Sequence, residues 1–117
     1  MKATNLKALL TLAALACCFA APAHAKDTRF WNLTANAITE LRLSPAGAND
    51  WGADQTANDS DHSVDHDERL KITTVKSGVF DVKFTDRAGR ECVVKDIAVK
   101  EGAVFSIDEK KVAGCGK

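Results

Sequence analysis

The chain has 117 residues, with 16 Lys plus Arg against 16 Asp plus Glu, 6% aromatic residues and no tyrosine. That length supports a single small domain. With charge in balance and no cluster of bases interleaved with aromatics, the footprint of a nucleic-acid-binding protein is absent.

Lys2 and Lys7 precede a continuous apolar run, ALLTLAALACCFAA over 8–21, and AHA at 23–25 places small residues around a cleavage point. This pattern predicts a secretory signal peptide over residues 1–25. Cleavage after Ala25 is expected to leave residues 26–117 as one domain, periplasmic or secreted. The apolar run is shorter than the ~20 residues a membrane helix needs, so no span is expected in the mature form. Cys17 and Cys18 lie inside that run, which leaves lipidation at either one as the second reading. Residues 26–117 number 92, with 14 bases and 16 acids, a net charge of −2. Seven of those acids fall within 50–68, a stretch with no Lys or Arg, so the remainder carries 14 bases against 9 acids. The chain is expected to fold into an electrically polarised molecule.

Strand-like runs follow one another with turn signals between them. TRFWNLT (28–34) and AITELRLS (37–44) come first, the second alternating Leu41 and Leu43 with Glu40 and Arg42. PAG at 45–47 ends that run, and a polar segment from about 48 to 68 separates it from RLKITTV (69–75). VFDVKFTD (79–86) sets Phe80, Val82 and Phe84 against Asp81, Lys83 and Thr85, and the RAGR turn leads into ECVVKDIAVK (91–100) and AVFSI (103–107). Period-two alternation of this kind belongs to half-buried strands, and about six or seven of them predict an antiparallel, immunoglobulin-like β-sandwich. Cys92 and Cys115 are the only cysteines left after cleavage. In an exported chain they are expected to form a disulfide, closing a loop of about 24 residues that contributes on the order of 3 kcal/mol.

Residues 77–92, SGVFDVKFTDRAGREC, resemble the hairpin of many exported immunoglobulin-like modules. More broadly, FWNLTANAITELRLSPAGANDWG (30–52) and DHDERLKIT (65–73) resemble a group of small exported proteobacterial proteins. That resemblance implies export and carries over no activity.

The polar segment 48–68 exceeds the usual connection of 4–6 residues, and such loops are commonly functional or disordered. Its second half, ANDSDHSVDHDE (57–68), resembles an EF-hand calcium loop. Such a loop supplies oxygens from its first, third, fifth, seventh and ninth positions and a bidentate glutamate from its twelfth. With Ala57 first, Asp59 is third, Asp61 fifth, Ser63 seventh, Val64 eighth, Asp65 ninth and Glu68 twelfth. The resemblance implies Ca²⁺ held by Asp59, Asp61, Ser63, Asp65 and Glu68. Two positions depart from it. Ala57 has no ligand atom in its side chain, and His62 stands where glycine supplies a left-handed backbone. A softer ion such as zinc, copper or nickel would instead draw on His62, His66, Asp65 and Asp67.

The opposing reading is a solvated acidic surface that docks a basic protein partner of the envelope without metal. Trp31 and Trp51 read either as core anchors or as a sugar-stacking platform. All mature histidines lie in the acidic segment, and no nucleophile–base pairing or phosphate loop is visible. The expectation is therefore a binding module, not an enzyme, with no organic cofactor.

Overall fold

The computed structural model describes residues 26–116; the predicted leader, with Cys17 and Cys18, lies outside the described residues. The strands are β1 (Thr28–Leu33), β2 (Ile38–Pro45), β3 (Arg69–Ile72), β4 (Gly78–Asp86), β5 (Glu91–Val99) and β6 (Val104–Asp108). They form two three-stranded sheets, ordered β3-β1-β6 and β2-β4-β5. The fold is a small all-β sandwich. Inward residues of both sheets, among them Phe30, Leu41, Val82, Phe84, Phe105 and Ile107, meet in one apolar cluster.

Three of the four strand pairs are antiparallel, whereas β1 and β6 run parallel. These two strands stand at opposite ends of the chain, so no tight turn joins them, and an antiparallel hairpin is not imposed.

The strict alternation read for β4 fails at one point. Asp81, expected on the solvent face, is buried at 2% exposure next to buried Val82. A register shift between Phe80 and Val82 breaks the period-two pattern there. One oxygen of Asp81 accepts from the backbone N–H of Gly47 at 3.0 Å, and the other accepts from that of Asp96 at 3.1 Å. The Gly47 and Asp96 N–H groups, in that order, hold its pKa below the ordinary carboxylate range. Asp96 sits at φ +60°, the left-handed turn that brings its N–H to the bulge.

The chain end is tied down twice. Asp108 caps a 3₁₀ turn, Glu109–Val112, whose Val112 is fully buried. Cys115 is then disulfide-bonded to Cys92 with the Cα atoms 5.1 Å apart. Beside it Arg90 donates to Asp86 at 3.0 Å and, through both terminal nitrogens, to Glu109 at 2.8 and 3.1 Å. Glu109 also accepts from the Ala35 N–H at 2.8 Å, linking the β1–β2 turn to the same clamp. Burial pushes Asp86 upward, but the Arg90 backbone and side-chain N–H groups and the Asn36 amide outweigh it, so its pKa is lowered. Glu109 is drawn down to about 2, first by Arg90 and then by the Ala35 N–H.

Cys115→Ser is expected to lower stability by about 3 kcal/mol, the entropy of a loop this long, with the β-sheet circular dichroism retained. Two reactive thiols in air-oxidised protein would contradict the pairing. The clamp has a pH signature as well. Because Glu109 is depressed from 4.5 to about 2, its stabilisation is complete above about 4.5 and lost as pH falls towards 2. Melting temperature should therefore fall across that window in the native protein. Glu109→Gln should start lower and fall less steeply, retaining only the slope from Asp86 and Asp81.

Candidate functional site: the acidic segment

Residues 48–68 are folded onto the sandwich. β2 and β3 are edge strands of different sheets, and an uncovered edge leaves N–H and C=O groups unpaired. The segment covers both edges on this side, largely with side chains. Along β2, the Gly52 N–H donates to the Leu43 carbonyl at 2.9 Å, and one Asp54 oxygen accepts from the Leu41 N–H at 3.0 Å. That same oxygen caps the 3₁₀ turn Gln55–Asn58 by accepting from the Thr56 N–H. Further along, Val64 and Ile38 exchange both backbone hydrogen bonds at 2.9 Å as an isolated antiparallel bridge.

The other sheet is covered by the next side chains. The Gln55 amide accepts from the Thr73 N–H at 2.9 Å and donates to the Thr73 carbonyl at 3.0 Å, copying a strand partner just beyond β3. Asn58 donates to the Lys71 carbonyl at 2.9 Å. Buried Asn32 joins the segment to β1, since its amide donates to the carbonyls of Val64 and Asn36 while its oxygen accepts from Thr34.

Against this frame each sequence-derived ligand has a definite place. Asp59 accepts from the Asp61 N–H at 2.9 Å, and Glu68 accepts from the Asp65 N–H at 2.7 Å, so both carboxylates stabilise local turns. Ser63 and Val64 are buried, Val64 completely. His62 adopts φ +56°, the left-handed backbone that its position in the register requires. His66 Nδ1 lies 2.7 Å from the Thr34 carbonyl, and Asp67 accepts from the Trp31 indole N–H at 2.9 Å. The calcium-like set and the transition-metal set thus point to different neighbours. Among the described residues no three His, Cys, Asp or Glu side chains converge in a way that could hold a metal.

Six of the seven acids divide into two groups, and the seventh, Asp67, accepts from the Trp31 indole. Asp54, Asp59 and Glu68 are half-buried and accept backbone N–H groups. Asp50, Asp61 and Asp65 are exposed, and among the described residues their side chains bond to nothing. Among the described residues none of the seven forms an ion pair; the salt bridges there involve Asp27, Glu40, Asp86 and Glu109.

Sequence reading missed a second charged surface. Pairing of β1 with β3 brings Arg29 beside Lys71 and Trp31 beside Arg69 on one outward face. The Arg69 guanidinium stacks 4.0 Å from the Trp31 ring centre. These residues are some forty positions apart, so only the strand register reveals them. Trp51, outside the strands, has Lys83 of β4 over its ring at 4.7 Å. Each tryptophan therefore has one face occupied by a cation, unlike an open sugar platform. A shallow groove of about 170 Å³ nearby is lined by Glu40, Arg42, Lys83, Phe84, Thr85 and Glu91. Arg42 there is already bonded to Glu40 and to the Gly52 carbonyl. No helix among the described residues is long and apolar enough to cross a membrane.

No protein family, curated protein or solved structure gives a significant match to this chain.

Asp54→Ala is expected to cost about 1–3 kcal/mol, because it strands the Leu41 and Thr56 N–H groups. Asp50→Asn, an equal change in charge with no bond lost, should stay within about 0.5 kcal/mol. Chemical denaturation of the two variants checks the contrast.

Proposed function

We propose that the protein is an exported, non-catalytic docking module whose acidic segment presents carboxylates to a cationic protein surface in the cell envelope. The observation that carries this reading is the state of Asp50, Asp61 and Asp65. They are exposed and, among the described residues, without ion-pair partners, on a segment clasped to both sheets. A braced array of this kind loses little conformational freedom on binding, which favours association. Unneutralised charge raises encounter rates with an oppositely charged surface. The exported location rests on the leader pattern and accords with the Cys92–Cys115 bond, since disulfides persist outside the reducing cytosol.

The docking reading and the calcium reading separate in one set of titrations. With an oligo-lysine peptide as the cationic probe, Asp50→Asn, Asp61→Asn and Asp65→Asn should weaken binding by similar amounts. The losses should shrink as salt rises. Glu91→Gln, an equal change in charge on exposed β5, should have little effect. A saturable one-to-one calcium isotherm, abolished selectively by Glu68→Gln, would overturn this reading and establish the ion site on Asp59, Asp61, Ser63, Asp65 and Glu68.

A further inference from the structure

The outer face of the β2-β4-β5 sheet carries its charges in rows that run across the strands. Register places Glu40 beside Thr85 and Thr85 beside Glu91, so two acids flank one short hydroxyl side chain. The next row sets Arg42 beside Lys83 and Lys83 beside Val93. Thr85 is short between longer neighbours, and it floors the groove of about 170 Å³. That room matches about six water molecules at ~30 Å³ each. The bases at its rim are held in place. Arg42 donates through Nε to Glu40 at 2.6 Å and through Nη1 to the Gly52 carbonyl at 3.0 Å. Lys83 lies over the Trp51 ring. Other groups around the floor are unengaged. Among the described residues neither Lys83 nor Glu91 forms an ion pair. Thr85 accepts from the Thr39 hydroxyl through its backbone carbonyl, which leaves its own hydroxyl without a partner among the described residues.

We infer that this groove binds a small zwitterion of the α-amino acid class. Its ammonium lies over Thr85 between Glu40 and Glu91, and its carboxylate turns towards Lys83 and Arg42. A lone anion placed here meets two acids, and a lone cation meets two bases. A molecule carrying both charges side by side satisfies both rows at once. Lys83 and Glu91 are diagonal neighbours on β4 and β5, ~7–8 Å apart, and a hydrogen bond of ~2.9 Å at each end of such a molecule spans a gap of that order. Because Arg42 is fixed by Glu40 and Gly52, and Lys83 by Trp51, the bases lose little freedom when the ligand arrives. The groove is open to solvent and the ligand small, so the affinity is in the millimolar range. Residues 51–52 serve this site only as supports for Lys83 and Arg42, and the site is independent of the docking reading.

Heteronuclear amide NMR of the disulfide-bonded protein, titrated with glycine at constant ionic strength, tests this. Saturable shifts are expected at the amides of Glu40, Arg42, Thr85 and Glu91. Acetate alone and methylammonium alone should each bind at least about tenfold more weakly, since each meets charge of its own sign. K83M and E91Q should each raise the glycine Kd by about tenfold or more, the loss of a hydrogen bond to a charged group. K76M, an equal change in charge between β3 and β4, should leave it within about twofold. Core amides that keep their dispersion verify that each variant is folded. A folded native protein whose amides do not shift saturably with glycine overturns the inference. So does binding that acetate or methylammonium reproduces, or that ignores both K83M and E91Q. None of these outcomes alters the oligo-lysine titration, which decides the docking reading separately.

Discussion

Two adjacent side chains clasp different sheets. Asp54 takes the Leu41 N–H of β2, and Gln55 takes the N–H and C=O of Thr73 just beyond β3. Consecutive residues point in different directions, so one short stretch of chain can reach the edges of both sheets and close that side of the sandwich. Much else depends on this clasp. It sets the entry to the 3₁₀ turn and hands Asn58 to the Lys71 carbonyl. Beyond that turn the chain crosses to Ile38, where Val64 becomes part of the core. The polar composition of residues 48–68 then has a structural cause. Side-chain amides and carboxylates, not a seventh strand, satisfy the edge groups, and a charged cover also discourages edge-to-edge pairing with other chains.

The charge of the segment follows from the same construction. Asp54 is consumed by a strand N–H, and Asp59 and Glu68 by N–H groups of local turns. Asp50, Asp61 and Asp65 face solvent with no ion-pair partner among the described residues. Three bases, Arg29, Arg69 and Lys71, lie instead on the outer face of the β3-β1-β6 sheet, where Arg69 stacks on Trp31. The near-neutral total therefore conceals an acidic segment and a patch of bases on a different face.

Much of the fold was legible because each strand writes its alternation into a contiguous run. All six strands fall within a few residues of the runs read from sequence. The Cys92–Cys115 pairing followed from arithmetic. Asp81 was misplaced because a bulge is a register event between two strands, and one strand's pattern does not contain it. Val112 escaped notice because its burial comes from a 3₁₀ turn held by Arg90 and the disulfide. At the acidic segment, spacing correctly required a left-handed residue at His62. Spacing could not tell which carboxylates would turn towards β2 or towards local N–H groups. The Arg29, Trp31, Arg69 and Lys71 face was invisible for a related reason, since its members share strand register and not sequence proximity.

The central claim is that residues 48–68 are a folded cover of both edges, held by hydrogen bonds to β2 and to Lys71 and Thr73. Native-state amide hydrogen exchange in chelator-treated protein addresses it at Leu41, Thr73 and Val64. The first two amides are held by side chains of the segment, and the third by its bridge to Ile38. All three should be protected well above the exposed Asp61 and Asp65 turns, and adding calcium should leave their protection unchanged. Exchange of Leu41 and Thr73 at unfolded-chain rates, with protection appearing only when calcium is added, would contradict the account.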